Sequence, residues 1–374
     1  MTQLAFLKTA RRLVIKIGSS TLTYSSGKLN LYQLERLVRE IADLKNQGLE
    51  IIIVTSGAVG AGMGKMGLVK RPKNIPEKQA LAAIGQGILM HMYEKFFGEY
   101  DLTVAQILLT REDFVHRERY LNARNTLLTL LNFDVIPIIN ENDTVAFEEI
   151  KFGDNDTLAA LVAGLVDADL LILLSDIDGL YTHDPRKTKS ATLIKIVEEI
   201  TPEIMVAAGG AGSKLGSGGM LTKIEAAKIS GNSGVPLLIL NGSREGIMRQ
   251  VISGFNPGTL FLPREDRLNM RKTWIAVASK IEGILYVDEG AAEALGQKGK
   301  SLLPSGIKNI EGDFERGCVV KVIGEKGEIA RGIVNYSAQE IKQIKGCQSW
   351  QIETILGYKD YDEVIHRNNL TLKI

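Results

Sequence analysis

Apolar residues fall into short dense runs separated by longer stretches in which they recur every three or four positions. The dense runs cover 13–17, 50–54, 103–109, 135–139, 169–174 and 235–240, and their β-branched, leucine-rich character predicts buried strands. Between the first two, Leu31, Leu34, Leu37, Val38, Ile41 and Leu44 line one helical face, with Asn30 as an N-cap and Gly48 as a stop. Further helices are read over 78–97, 110–131, 158–166 and 223–229. Strand and helix alternate up to residue 262, which predicts an α/β domain, a three-layer αβα sandwich around a mainly parallel sheet.

The texture then changes. Residues 263–274 are polar and charged, with Arg264-Glu-Asp-Arg267 among them, and read as a linker. From 275 to 374 the apolar runs are short and the turns close: strands at 283–287, 317–323 and 329–334, and a helical piece at 289–295. This predicts a small β-barrel-like domain.

Polar chemistry gathers where the strands end, the ligand side of an α/β sheet. The run 135–139 leads into Asn140-Glu-Asn-Asp143 and, soon after, Asp154-Asn-Asp156. A turn needs one or two such residues; this many suit a small polar substrate, a metal ion or both. Lys16 interrupts an otherwise apolar run. Either the strand lies at an edge with the lysine in water, or something pairs with the charge. Ser175-Asp176 and Asn241-Gly242 end two further strands.

Two stretches are glycine-rich, the first directly after a strand and the second running into a helix. In the first, Gly62, Gly64 and Gly67 satisfy G-x-G-x-x-G, but they start late and are followed by Pro72 and Pro76, not by a clean βαβ unit. That disfavours a nicotinamide cofactor. The glycines are read as letting backbone N–H groups approach a carboxylate or phosphate, beside the Ser56 hydroxyl. The second, 209–223, lacks the Walker pattern. Its free N–H groups, a helix start and Lys223 nevertheless favour polyphosphate. Arg111, Arg117, Arg119 and Arg124 are read as a solvated or subunit-contacting face.

Composition narrows the classes. Net charge is +1 over 374 residues, so no strong field draws the chain to nucleic acid or membrane. Residues 275–374 carry 13 Lys and Arg against 14 Asp and Glu, which disfavours RNA binding there. Two cysteines and four scattered histidines form no zinc-ligand spacing. Without a signal-peptide pattern or a membrane-length apolar run, a cytoplasmic enzyme is expected.

Val14-Ile-Lys-Ile-Gly-Ser-Ser20, Thr55-Ser-Gly-Ala58, Ile139-Asn-Glu-Asn-Asp143, Gly153-Asp-Asn-Asp156 and Ser217-Gly-Gly-Met-Leu-Thr-Lys223 resemble the amino acid kinase family. Gly283-Ile-Leu-Tyr-Val-Asp-Glu-Gly-Ala-Ala292 and Lys300-Ser-Leu-Leu-Pro-Ser-Gly-Ile307 look like a C-terminal PUA domain. The resemblance implies a catalytic domain over 1–262 with the amino acid kinase fold. It also implies ATP with Mg²⁺ as cofactors, the metal carried by ATP and not by protein ligands. The paired motifs at 139–143 and 153–156 look most like members that phosphorylate the side-chain carboxylate of L-glutamate, the first step of proline biosynthesis. On that likeness Lys16 and Lys223 contact the transferring phosphoryl group and Asp156 holds the two lysines. Ser56, Gly57, Asn140, Asp143 and Asn155 bind the amino acid, with Asp143 near its α-amino group. Lys16, Ser175, Asp176, Ser217, Gly218, Gly219, Met220, Leu221, Thr222 and Lys223 bind the nucleotide; at 175 serine replaces the threonine of relatives. Feedback inhibition by L-proline and a homo-oligomer, dimer or tetramer, are further implications. The alternatives are another carboxylate or amino acid kinase of the family, or an RNA-binding protein acting through the PUA domain.

Overall fold

All six dense apolar runs form strands in the computed structural model, which describes residues 5–24, 26, 28–68, 70, 72, 74–145, 154–185, 188, 190–209, 219–263, 281–296, 299–325 and 327–372. The chain divides into two units, Met1–Glu265 and Asp266–Ile374. Apart from Pro263, the stretch read as a linker at 263–274 lies outside the described residues.

The first unit runs β1 (Arg12–Ile17), α1 (Ser19–Leu22), α2 (Leu31–Asn46), β2 (Glu50–Val54), α3 (Ala58–Met66), α4 (Ile75–Gly98), β3 (Val104–Leu109), α5 (Glu112–Val115), α6 (Arg117–Asn132) and β4 (Ile136–Glu141). It continues with α7 (Asn155–Leu165), β5 (Leu170–Ser175), β6 (Ile196–Val197), α8 (Pro202–Ala207), α9 (Met220–Asn232), β7 (Leu237–Asn241), α10 (Ile247–Ile252) and β8 (Thr259–Phe261). The eight strands lie in the order β3-β4-β2-β1-β5-β7-β8-β6. Every neighbouring pair is parallel except β7 with β8. After β1 the chain builds outward through β2; after β4 it crosses back to place β5 on the other side of β1. The carboxyl ends of β1 and β5 thus flank a topological switch point.

Strand alternation sorts the core into two layers. Leu13, Ile15, Ile17, Ile51 and Ile53 join Leu34 and Leu37 of α2 and Tyr93 and Phe97 of α4 in one apolar cluster. Val14, Ile52 and Val54 point the other way, into a cluster with Leu158 of α7 and Ile224 of α9. Lys16 shares the parity of Val14, so its side chain leaves the sheet on the α7–α9 side. β1 is an interior strand, with Lys16 opposite both Val54 and Leu173. The edge-strand reading of Lys16 therefore fails.

Helix ends follow their caps. Asn30 Oδ1 accepts from Gln33 N–H at the start of α2. α4 begins at Ile75, three residues before the predicted start, because Asn74 Oδ1 accepts from Glu77 N–H and Pro76 fits the first turn. The helix predicted over 110–131 is two helices, separated at His116 by extended backbone. Thr110 starts this region by donating its N–H and Oγ1–H to Asp113 Oδ2. Arg124 is no solvated arginine: it pairs with Asp167 at 2.6 Å and donates to the Leu165 carbonyl. The glycines after β2 sit mostly inside α3. A Cβ on Gly62 would lie 2.0 Å from the Leu81 carbonyl oxygen, and one on Gly85 would lie 1.7 Å from that of Ala58. These two glycines let α3 and α4 touch through backbone alone. That is a packing role, unlike the anion approach expected of the stretch.

The second unit contains β9 (Ile281–Val287), α11 (Glu289–Gly296), β10 (Ile307–Glu311), β11 (Val319–Gly324), β12 (Gly327–Ile333), α12 (Ala338–Ile344), α13 (Ile352–Leu356) and β13 (Leu370–Leu372), with strand order β10-β9-β11-β12-β13. Beside its core, Arg316 donates to both oxygens of Glu340 at 2.7 and 3.0 Å, reaches Asp360 at 2.9 Å and lies 4.9 Å from the Tyr358 ring centre. Burial pushes the Glu340 carboxyl up, but hydrogen bonds from Arg316, Tyr358 and the Ser337 N–H outweigh it and hold the group at about 2, against 4.5 ordinarily. A depressed carboxyl contributes stability above its unfolded pKa and loses it as pH falls through the folded one. Glu340→Gln is therefore expected to lower the thermal midpoint of the full chain at neutral pH. The difference from wild type should fade between pH 4.5 and about 2; a pH-independent difference would refute the assignment. Among the described residues no helix is long and apolar enough to cross a membrane.

Candidate active site

The site begins with the parity of Lys16. α7 starts at Asn155 because Asp154 caps it, its Oδ1 accepting from the N–H groups of Asp156 and Thr157. This start turns Asp156 toward β1. α9 starts at Met220, three residues earlier than the helix predicted at 223–229, and brings Lys223 from the other side. Lys16 Nζ lies 2.5 Å from Asp156 Oδ1, and Lys223 Nζ lies 3.0 Å from Asp156 Oδ2. All three are buried, at 6%, 4% and 0% exposure. Burial pushes the Asp156 carboxyl up, but the charges of Lys16 and then Lys223 more than offset this and hold it below the usual range. The carboxylate is ionised at neutral pH, and two ammonium groups share it. Formally this trio is positive by one charge, at the switch point of the sheet.

Several features around the trio suit an anion. Gly219 precedes α9 with no side-chain cap on the helix N-terminus and no acidic residue in its first turn. Thr222 donates Oγ1–H to the Gly219 carbonyl at 2.7 Å, and that hydroxyl lies 3.3 Å from Asp156 Oδ2. A Cβ on Gly18 would stand 3.7 Å from Lys16 Nζ, in contact with the ammonium, so glycine there leaves the backbone itself as its neighbour. Ser175, at the end of β5, is buried and donates to Asp176, which is exposed. Met220 and Leu221 occupy the first turn of α9; Ser217 and Gly218 lie outside the described residues.

A second polar cluster fills the ends of β2 and β4. Asn155 Nδ2 donates toward Asn140 Oδ1 at 2.8 Å, Ser56 Oγ at 3.0 Å and the Thr55 carbonyl at 2.5 Å. Asn140 Nδ2 donates to Gln86 Oε1 at 2.8 Å, and its Oδ1 also accepts the Glu141 N–H at 2.9 Å. Below them the hydroxyls of Thr55 and Tyr93 lie 2.9 Å apart; burial pushes the Tyr93 hydroxyl far above its ordinary pKa, so it is a neutral partner. Gly57 starts α3 at φ +96°, a left-handed conformation that favours glycine. Asp143 lies two residues past β4, half-buried.

Sequence reasoning passed over Gln86 and Tyr93, whose types are unremarkable in a helix, and named Thr55 in a motif without giving it a role. It also passed over the link between the ends of β5 and β7, where Asp178 accepts from Asn241 at 2.9 Å, Arg244 at 2.6 Å and Tyr181 at 3.1 Å. The polar run after β5 was the available signal for Asp178. Among the described residues no group of three His, Cys, Asp or Glu suits a metal ion, and Asp156 is engaged by both lysines. The donor set does not fit a metal held by protein ligands. What it fits is a polyanion beside a small polar molecule.

The model of the amino acid kinase family matches residues 11–241, and that of the PUA domain matches residues 283–356. A protein named glutamate 5-kinase from Caldanaerobacter subterraneus subsp. tengcongensis is 59% identical over 362 residues, 96% of this chain and 97% of that protein. One of the same name from Moorella thermoacetica is 56% identical over 365 residues, 97% of each. A solved UMP kinase from Ureaplasma parvum superposes on 68% of this chain and 99% of its own, with 13% identity and a TM-score of 0.49.

Proposed function

The chain belongs to the amino acid kinase family and carries a PUA domain, and from that premise we propose that it transfers the γ-phosphoryl group of ATP to the side-chain carboxylate of L-glutamate. The products are γ-glutamyl phosphate and ADP. The observation that carries this reading is the buried pair of ammonium groups, Lys16 and Lys223, sharing one carboxylate at the switch point. A carboxylate oxygen attacks the γ-phosphorus while the bond to the β,γ-bridging oxygen breaks. The acceptor is already deprotonated at neutral pH, since a free glutamate side chain titrates near ~4.3. No general base is required, and Asp156 serves to hold the lysines. The obstacle is charge: two anions must approach and more charge develops on the transferring oxygens. Two fixed cations in a dry site lower that barrier, and in-line placement supplies the rest.

In this reading the first turn of α9, from Gly219 to Lys223, and the ends of β5 and β7 take the nucleotide, with Mg²⁺ carried on its phosphates. Ser56, Asn140, Asp143 and Asn155 take the amino acid. Because Ser56 Oγ accepts from Asn155, its own O–H is left to donate to a carboxylate. Asp143 supplies the anion for the α-ammonium group. Residues 1–262 form the catalytic domain, and inhibition by L-proline and homo-oligomer formation belong to the same reading.

Asp143→Ala is expected to raise KM for glutamate by about 10- to 100-fold, the range for losing a hydrogen bond to a charged group. kcat and KM for ATP should change little, as steady-state kinetics with each substrate varied will register. The reading as a whole is tested by ADP release with ATP and Mg²⁺ against glutamate, aspartate, acetylglutamate, carbamate and UMP, with hydroxylamine to trap an acyl phosphate. Glutamate-dependent ADP with matching hydroxamate supports it. Turnover with another acceptor alone replaces glutamate by that acceptor.

A further inference from the structure

Gln86 lies on α4, remote in sequence from every motif of the site, yet it is buried at 9% exposure. Its Oε1 accepts from Asn140, while its Nε2 finds no hydrogen-bond partner among the described residues. A buried donor without a partner is destabilising, so stability alone would favour a methionine or leucine at this place. What the glutamine does supply is an acceptor for Asn140.

The direction of the amide chain follows from its two ends. The Glu141 backbone N–H can only donate, so Asn140 must turn Oδ1 toward it and Nδ2 toward Gln86. The Thr55 carbonyl can only accept, so Asn155 must turn Nδ2 toward it. Asn140 Oδ1 then faces Asn155 Nδ2, and the Ser56 oxygen takes the same donor group. The remaining Asn155 oxygen and the Ser56 proton become, respectively, an acceptor for an ammonium group and a donor for a carboxylate. We infer that Gln86 is a positioning residue for the acceptor amino acid: by accepting from Asn140 Nδ2 it satisfies the one amide end that the two fixed ends leave pointing into the protein, and so holds Asn140, and through it Asn155 and Ser56, in place. This rests on the reading that an amino acid binds at the ends of β2 and β4. Without the Gln86 oxygen, Asn140 Nδ2 is a buried donor with nowhere to point, and rotating to satisfy it takes Oδ1 away from Asn155.

The test is steady-state kinetics on the full chain, with wild type run alongside and using whichever amino acid wild type turns over. Gln86→Met keeps the volume and removes the acceptor; Gln86→Glu keeps an acceptor oxygen. Gln86→Met is expected to raise KM for the amino acid by about tenfold, with KM for ATP and kcat within about twofold, and Gln86→Glu to return KM to within about threefold of wild type. A lost packing contact would move both substrates together and would not be rescued by Glu. Equal shifts for both substrates, no shift, or failure of Gln86→Glu to improve on Gln86→Met overturns the inference. Should Gln86→Met not fold, Asn140→Leu is compared with Asn140→Leu/Gln86→Met, in which both partners are apolar. With Asn140 gone, Gln86 has nothing to orient, so KM should not rise further; a further rise overturns the inference. Wild type inactive with glutamate but active with another amino acid would overturn the glutamate assignment and leave this pattern to be read with that acceptor.

Discussion

Lys16→Ala and Lys223→Ala are each expected to lower kcat by roughly 10²–10⁴, the range for removing one group that stabilises transition-state charge. Both side chains share one protein carboxylate, Asp156, one negative charge between two positive ones. Deleting either lysine leaves a neutral pair, which the buried site tolerates better than a lone charge. The thermal midpoint should therefore move little while turnover collapses, a separation that circular dichroism and ADP release will show together. Full turnover in both variants would remove the lysines from the mechanism.

Asp156→Asn should do the opposite to the fold. It keeps the shape but removes the carboxylate that the two buried ammonium groups share, a change that costs about 3–5 kcal/mol. A large drop in thermal midpoint is expected together with loss of kcat, because neither lysine is held. Asp156→Asn/Lys16→Met removes one of the two ammonium groups that shared the carboxylate and should recover much of the midpoint without recovering turnover. ATP, which brings its own negative charge, should raise the midpoint of the single variant more than that of wild type. The acid behaviour follows from the lowered carboxyl pKa. Its contribution is complete above the unfolded value near ~3.9 and is lost only as pH falls through the lower folded value. The difference between Asp156→Asn and wild type should thus stay constant from about pH 8 to 5 and shrink only in stronger acid. A variant that melts and turns over like wild type would mean that Asp156 organises nothing.

The layers of the first unit were legible in the sequence because its interior strands are dense apolar runs and its helices carry one apolar face. The short β6 and β8 were not, since two or three residues carry no period and β8 is held by pairing with β7. The break at His116 was hidden inside a continuous helical pattern. At the site, Lys16 was visible as a charge in an apolar strand and the Asx cluster as an excess over turn needs. Parity then tied Lys16 to the face of Asp156 and Lys223, a relation that needed the placement of α7 and α9. Gln86 was invisible: one polar residue in a helix signals nothing until Asn140 is found against it.

The crossing of α3 and α4 at Gly62 and Gly85 has a mechanical consequence. Where helices meet through side chains, a disturbance is taken up by rotamer changes; here backbone meets backbone and no such cushion exists. α4 can only move against α3 as a rod, and Gln86, the next residue after the contact, moves with it. The distance from Gln86 to its partner Asn140 is thereby tied to one helix crossing, so a side chain added at Gly62 or Gly85 would be felt at the amide cluster as well as at the crossing.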